Sequence, residues 1–495
     1  MANPGKPQEK AQRNVQRTAQ HTTKKTAQQI VQRTSNISRR RLLSKWVLGG
    51  SAAVGTSTLS SLLKGCTPDF SALDGRSGSA NSETTSGTDN SNEPSAASSA
   101  DQATDIKVGI LHSLSGTMAL SETPIVDALL MAIDEINAAG GVLGKPLVPV
   151  QEDGASDWPT FAEKAEKLID QHNVAVIFGG LTSASRKAIL PVVKAKNRLL
   201  WYPGTYEGQE CSKNIFYGGS TANQQIEPAI NWMLGNRGKN FFLVSSNART
   251  THDMVKEQLK ARGGKVAGEA YVPLVNGINA DMAPVVKDIK NALPEGGIIF
   301  NALVGNHNRA FFKELRSASL PANKYLVMSV RISEEEIFQI GPEFVDGHYG
   351  AWSYFQTIDS AENKQWVSDF QDQYGSDRVV GDPMATAYTM VYLWAQAVEK
   401  AKSIDTTDVR TATYGQSFKG PQGLVTMQTN HHLSKTVRIG KVLDNGQFEI
   451  LMTQDKAIAP NPWSQYIASG KGFACDWSDP DKKGKYNVEA AENEV

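Results

Sequence analysis

The stretch 197–212 constrains this chain most. It reads Asn-Arg-Leu-Leu-Trp-Tyr-Pro-Gly-Thr-Tyr-Glu-Gly-Gln-Glu-Cys-Ser. Leu199-Leu200-Trp201 is too short for a helix and apolar throughout, the pattern of a strand buried on both faces. Pro203 cannot continue a central ladder and Gly204 frees the backbone, so the strand ends and delivers Tyr202, Gly204, Thr205 and Tyr206 into a loop. Open α/β sheets bind ligands just beyond the carboxyl ends of their parallel strands. A loop of phenols, a hydroxyl and bare backbone suits a small polar molecule. An ordinary strand-to-helix turn with inward-packed tyrosines fits the same letters, and both readings stand at this point.

The same alternation runs on both sides. Ile106–Leu111, Leu147–Val150 and Val174–Phe178 read as strands, with Pro149 placing the second at an edge. Helices are expected from Pro124 to Ala139 and from Phe161 to Gln171. Leu181-Thr182-Ser183-Ala184-Ser185 is another hydroxyl-rich loop, opening a helix whose free N–H groups favour acceptors. The pattern then restarts. Phe241–Val244 leads to Ser245-Ser246-Asn247, and a helix spans Thr251–Arg262. Strands follow at Val266–Tyr271 and Gly297–Val304, the latter ending at Gly305-Asn306. Leu326–Ser329 then precedes Arg331 and the acidic start Ser333-Glu334-Glu335-Glu336. Alternating strands and helices predict parallel sheets with right-handed crossovers. Two such sheets usually enclose a cleft.

The boundaries expected are a leader over 1–65, a tether over 66–104, a first lobe over 105–219 and a second over 220–350. The chain is then expected to return to lobe 1 over 351–410, including a helix Ala385–Ala401, and to lobe 2 and the hinge over 411–460. A tail covers 461–495. Leu424–Met427 and Val437–Val442 read as a hairpin joined through Asn430-His431-His432.

Charge separates the leader from the rest. The chain has 51 Lys+Arg and 51 Asp+Glu, but residues 1–65 hold 12 of the bases and one acid, leaving 39 bases against 50 acids beyond them. That acidic surplus argues against nucleic acid as a partner. Ser38-Arg39-Arg40-Arg41-Leu42-Leu43 resembles a twin-arginine export motif. The weakly apolar 46–63 suits a signal segment, with an uncleaved anchoring helix as the alternative. Leu63-Lys64-Gly65-Cys66 resembles a lipobox, with Cys66 as the lipidated residue and Lys64 an unusual member. Residues 67–103 are Ser, Thr, Asn and Gly-rich, a tether unable to bury a core. With Cys66 lipidated, Cys211 and Cys475 remain. In an oxidising compartment they can bridge, or they are two unrelated thiols.

No glycine elbow around a serine, HExxH, P-loop or dinucleotide turn is present, so nothing points to an enzyme, and no cofactor or metal is implied. His431-His432 on an extended chain point to opposite sides, which favours a structural or solvated role over a shared ion. Glu334, Glu335 and Glu336 read as a capped, solvated helix start.

Thr182-Ser183-Ala184-Ser185-Arg186-Lys187-Ala188 and Tyr202-Pro203-Gly204-Thr205-Tyr206-Glu207-Gly208 resemble the urea and short-chain amide binding proteins of ABC importers. Asp382-Pro383-Met384, Gly420-Pro421-Gln422-Gly423 and Asn430–Lys435 add to the likeness, which covers nearly all of 105–455. The resemblance implies a two-lobed type I periplasmic-binding-protein fold, each lobe a parallel sheet flanked by helices, with three hinge crossings. It also implies a small polar ligand, urea or a related amide, in the interlobe cleft. A permease and an ATPase would be the partners, and the location would be the periplasm or the outer face of the cytoplasmic membrane. Carried over by motif, Ser183, Tyr202, Gly204 and Thr205 would hold the amide. Ser115, Thr182, Tyr206, Ser246, Asn247, Gly305 and Arg331 complete the expected set.

The sequence departs from that family where ligand contacts are expected. Ser246-Asn247-Ala248-Arg249 replaces the family's Ser-Asp-Tyr and aromatic-Pro-Arg stretch, Arg331 replaces a small polar residue, and Ala385 replaces a glutamate. Acceptors are lost and a guanidinium is gained, whereas urea offers N–H donors and needs acceptors. A ureido acid or small anion is therefore the alternative ligand, and a ligand sensor is the alternative to an importer.

Overall fold

The computed structural model describes residues 105–246, 249–274, 280–482 and 484–488. The leader, the tether, Cys66 and Asn247 lie outside the described residues.

The chain begins β1 (Ile106–His112), α1 (Ala119–Ala138), β2 (Leu147–Asp153), α2 (Trp158–Asp170), β3 (Ile177–Gly179), α3 (Ser183–Ala195), β4 (Leu200–Tyr202) and β5 (Ile215–Tyr217). These strands form one parallel sheet in the order β2-β1-β3-β4-β5, with β2 and its Pro149 at the edge. Leu200, Trp201 and Tyr202 are all fully buried, because helices cover both faces of the sheet. Trp201 packs against Phe216 with ring centroids 4.6 Å apart.

α1 starts five residues before the expected Pro124. Proline lacks the N–H that would bond to the carbonyl of Leu120. That carbonyl instead accepts from Gln339 Nε2, which comes from the other lobe (3.1 Å). The helix thus tolerates Pro124 because an interlobe contact satisfies the freed oxygen.

The second half repeats the plan. It runs α4 (Ile226–Asn236), β6 (Asn240–Ser245), α5 (Arg249–Ala261), β7 (Lys265–Tyr271), α6 (Ala283–Ala292), β8 (Gly297–Ala302), α7 (Asn306–Ser317), β9 (Tyr325–Ser329), α8 (Glu334–Ile340), α9 (Pro342–Val345) and β10 (Tyr349–Trp352). The strands order β7-β6-β8-β9-β10, the same topology as the first sheet. The chain then returns to the first lobe with α10 (Ala361–Tyr374), α11 (Asp382–Ala401) and α12 (Thr406–Thr413). α11 packs on α1, where the hydroxyls of Tyr388 and Tyr392 both donate to Glu135 Oε2.

The expected hairpin does not form. β11 (Ser417–Gly420), β12 (Gly423–Met427) and β13 (Leu433–Ser434) make a small antiparallel sheet. Val425, Met427 and Leu433 belong to the core that holds Ile125 and Trp394, so this part of 411–460 packs on the first lobe. β14 (Arg438–Val442) lies in the second sheet, antiparallel to β10 and to β15 (Phe448–Thr453). The chain crosses between lobes at 434–438, so β12 and β14 cannot pair. With crossings also at 217–226 and 352–361, three segments join the lobes. The tail ends in the hairpin β16 (Phe473–Asp476) and β17 (Gly484–Asn487).

Candidate ligand site between the lobes

The two sheets present their carboxyl ends to each other, and a cleft of about 630 Å3 lies between them. Its walls come from residues just beyond the strand ends: Thr182 and Ser183 after β3, Thr205 and Glu207 after β4, Ser246 after β6, Val304 after β8 and Arg331 after β9. This is where the free ends of parallel strands and the N-termini of the following helices converge.

The first-lobe wall is built around one buried cation. Arg186, on the first turn of α3, is fully buried. Its Nε and Nη2 reach Glu210 Oε1 and Oε2 at 3.0 and 3.2 Å, and its Nη1 donates to Ser183 Oγ (3.1 Å). The guanidinium also lies 4.9 and 4.5 Å over the rings of Tyr202 and Tyr206. Ser183 Oγ in turn donates to Glu207 Oε2 at 2.6 Å. Burial would raise the Glu207 carboxyl, but Arg186 and the Ser183 hydroxyl outweigh it and hold the group below the usual carboxylate range. Glu207 therefore faces the cleft ionised. Thr182 caps α3 by accepting from Ser185 N (3.0 Å), and Thr182, Ser183, Ala184 and Lys187 put the start of this helix on the cavity wall.

Arg331 spans the cleft. Its Nη1 donates to both the carbonyl oxygen and the hydroxyl of Thr205 on the opposite lobe. Burial pushes its pKa down, opposed by Tyr202 and Glu207, yet arginine stays charged at any ordinary pH. Beside it Glu335 and Glu336 line the cavity, and Ser121 of the first lobe donates to Glu336 Oε1. Trp158, Tyr271, Leu274, Leu181 and Val304 supply apolar surface. Among the described residues no three His, Cys, Asp or Glu are grouped to hold a metal, and no helix is long and apolar enough to cross a membrane.

Residues 106–469 match the periplasmic binding protein domain family along their whole length. The chain belongs to the periplasmic binding protein family. Among curated relatives, it is 35% identical to a limonene hydroxylase of Geobacillus stearothermophilus over 123 residues, covering 25% of this chain and 23% of that protein. It is 24% identical over 320 residues to the Leu/Ile/Val-binding protein BraC3 of Rhizobium johnstonii, covering 61% of this chain and 81% of that protein. The chain spans about a quarter of the length of the first curated relatives it matches. Among solved structures, it superposes with TM-score 0.64 on an ABC-transporter solute binding protein from Rhodopseudomonas palustris HaA2 in complex with p-hydroxybenzoic acid, at 22% identity. That match covers 72% of this chain and 98% of the other, and it shows a shared type I fold of mixed α/β lobes.

In this binding protein Thr182, Ser183, Thr205, Ser246 and Arg331 come together on one cavity. Five other expected residues do not line it. Tyr202 turns inward, its hydroxyl donating to Leu181 O (2.6 Å), and Tyr206 pairs with His432. Gly204 is closed in by that packing, since a Cβ there would lie 2.4 Å from Leu181 O. Ser115 Oγ donates to Asp153 Oδ2 (2.7 Å) at the surface. Gly305, at φ +56°, lets the chain pass Thr117 O, where a Cβ would come within 2.5 Å. Ala385, where the amide binders have a glutamate, is buried in the α11 core.

Glu334, Glu335 and Glu336 are buried, not solvated, because the start of α11 covers them. His431 and His432 are buried as well. His432 stacks 4.3 Å from Tyr217, and His431 bonds to Ser212 O and Ile215 O at 3.1 Å each. Burial holds both imidazoles down to about 3, so both are neutral. The sequence missed Glu207, Lys187 and Trp158 as lining residues. The signal for Glu207 was its place two residues beyond Thr205, on the same strand-end loop.

Cys211 and Cys475 are bonded in the structure, with Cα atoms 6.2 Å apart. The bond ties the loop after Glu207 to β16, and Trp477 N reaches Thr429 O (2.9 Å) beside the histidine pair.

Proposed function

We propose that this chain is the solute-binding component of an ABC importer and that its cleft takes a small amide that also carries a carboxylate, of the ureido-acid kind. The motifs shared with urea and short-chain amide binders support an amide. Arg331, standing in the cleft against Thr205, is the observation that carries the carboxylate. A fixed guanidinium pairs best with a planar anion, and the N-terminus of α3 with Lys187 adds positive potential on the facing wall. Ionised Glu207 and the hydroxyls of Ser183, Thr205 and Ser246 can accept amide N–H groups. A cavity of about 630 Å3 is far more than urea fills and lies in the usual range for small-molecule sites. The solved relative in complex with p-hydroxybenzoic acid and the relative named as a Leu/Ile/Val-binding protein both point to ligands with a carboxylate, which agrees with a carboxylate end in the cleft. The twin-arginine-like leader agrees with a site of action outside the cytoplasm, with a permease and an ATPase as partners.

Calorimetry with hydantoate, urea, acetamide, leucine and 4-hydroxybenzoate tests this. Hydantoate is expected to bind most tightly. Arg331→Ser is expected to weaken it by about 10- to 100-fold, the range for a hydrogen bond to a charged group, with little effect on acetamide. Urea binding more tightly than hydantoate, or unchanged hydantoate affinity in Arg331→Ser, overturns the ligand class.

A further inference from the structure

We propose that Glu335 and Glu336 meet the solute as uncharged carboxylic acids, so that the cleft selects a solute with hydrogen-bond acceptors and loses affinity for it when these groups deprotonate. This deepens the importer reading and rests on it for the ligand, whereas the charge state of the two carboxyls is a property of the protein alone.

The geometry begins with crowding. Glu334, Glu335 and Glu336 occupy one helical turn, and none is more than 5% exposed. Asp382, wholly buried at the start of α11, lies beside them. Gly381 packs so tightly there that a Cβ would fall 2.0 Å from Glu335 Oε2. A buried carboxylate needs a cation, and like charges in one dry site cannot all ionise.

Among the described residues the surrounding cations make no ion pair with these carboxyls, and the through-space pull of Arg331 on Glu336 and of Arg378 on Glu335 offsets only part of the burial cost. Arg331 bonds Thr205 through Nη1. Arg378, ahead of α11, pairs with Asp127 Oδ2 on α1 at 2.7 Å. Lys435 and Arg438, at the hinge and on β14, cluster with Ser353, and Asp382 accepts from Ser353 N (3.0 Å). Among the described residues no ion pair reaches Glu334, Glu335 or Glu336. The other groups facing the site give no proton partner either. Glu122 on α1 is turned to His112 (2.8 Å), and Tyr354 donates to Asn363 (2.7 Å). His307 on α7 bonds Ser246 Oγ, and burial keeps it neutral. Glu207 across the cleft is ionised, while Lys187 and Arg249 stand on the rim.

Charge and geometry agree. Burial raises the Glu335 carboxyl to about 7, and burial together with the neighbouring Glu335 raises Glu336 to about 8. Burial pushes Glu334 well above its ordinary range. A neutral carboxyl carries an O–H donor and an acceptor. Glu336 already accepts from Ser333 N (3.0 Å) and from Ser121 of the opposite lobe, so its proton is the group left to offer a solute acceptor. Deprotonation puts a negative charge against an anionic solute, a repulsion that the donated hydrogen bond from Ser121 offsets only in part.

Carboxyl carbon titration of the 13C-glutamate-labelled protein without ligand, compared with E335Q and E336Q, reads the charge state directly. Midpoints near 7 and 8 that vanish in the matching variant are expected. Midpoints near the ordinary 4.5 for both overturn the proposal. Calorimetry with hydantoate on the wild-type protein should show affinity falling at least tenfold from pH 6, where both carboxyls are protonated, to pH 9, a slope that E335Q/E336Q flattens. A wild-type affinity independent of pH overturns the selection claim. Absence of any hydantoate binding with midpoints near 7 and 8 sinks the ligand reading and the selection claim that rests on it, while upholding the charge state.

Discussion

Replacing Cys211 and Cys475 together by Ser should cost the protein a large part of its stability. The bond closes a loop of 264 residues. In the chain-entropy account, the restriction lost from the unfolded state is about 5–6 kcal/mol. Whole domains are stable by only about 5–15 kcal/mol, so this is a major term. The entropy of unfolding, about 2 cal/mol/K per residue, sums over the folded part to roughly 0.8 kcal/mol/K, so the midpoint should fall by about 7 °C. The structure also says where the loss is felt first. The bond anchors β16 beside Asn430, and Trp477 lies against His431 with ring centroids 6.0 Å apart. Release of the tail should therefore shift tryptophan emission to the red before global unfolding. Differential scanning fluorimetry of the double Ser variant, and of the wild type with and without reductant, checks both points. A midpoint lowered by less than about 2 °C with unchanged emission would show that the loop closure does not stabilise this fold.

Arg186→Met should destabilise by about 3–5 kcal/mol, because it leaves Glu210 without its buried partner, and Arg186→Met/Glu210→Gln should recover much of that in urea denaturation. Trp201→Ala should cost about 3–5 kcal/mol through the cavity left against Phe178 and Phe216, measured the same way. His348 is held down to about 3 by burial, so the unfolded chain binds its proton first as pH falls. The stability tied to its neutral form is present above about 6.5 and is lost as pH drops toward 3, by up to roughly 1.4 kcal/mol per pH unit. His348→Asn, which can keep the acceptor for Val327 N, should flatten the acid limb of a denaturation series from pH 6.5 to 4.5. An unchanged slope would place the acid sensitivity elsewhere, with His431 and His432 next in line.

Local rules carried the reading as far as backbone direction. Leu199–Trp201 could only be a short buried strand, and Pro203-Gly204 could only end it, so Thr205 had to emerge at a sheet edge. The same reasoning at Phe178-Gly179-Gly180, Val244 and Ser329 put Thr182, Ser183, Ser246 and Arg331 at strand tips, and the repeated topology turns the tips toward one another. Side-chain direction was not legible. Tyr202, which closes β4, and Tyr206, on the loop with Thr205, turn away from the cleft, because Arg186 and His432 arrive from other segments to receive them. The three glutamates look solvated in isolation, since a capped helix start favours acids. They are buried only because α11, nearly fifty residues later, lays Gly381 and Asp382 on them. The hairpin expectation failed for a related reason. Pairing rules see β12 and β14 as neighbours in sequence, while the hinge sends them to different lobes.

The central claim is that a solute sits between the strand tips of the two lobes. A crystal structure of the protein saturated with hydantoate tests it most directly. The account predicts density for the ligand in the cleft, its carboxylate on Arg331 and its amide against Ser183, Thr205 and Glu207. Ligand found outside the cleft, or inside it with the carboxylate turned away from Arg331, would contradict it.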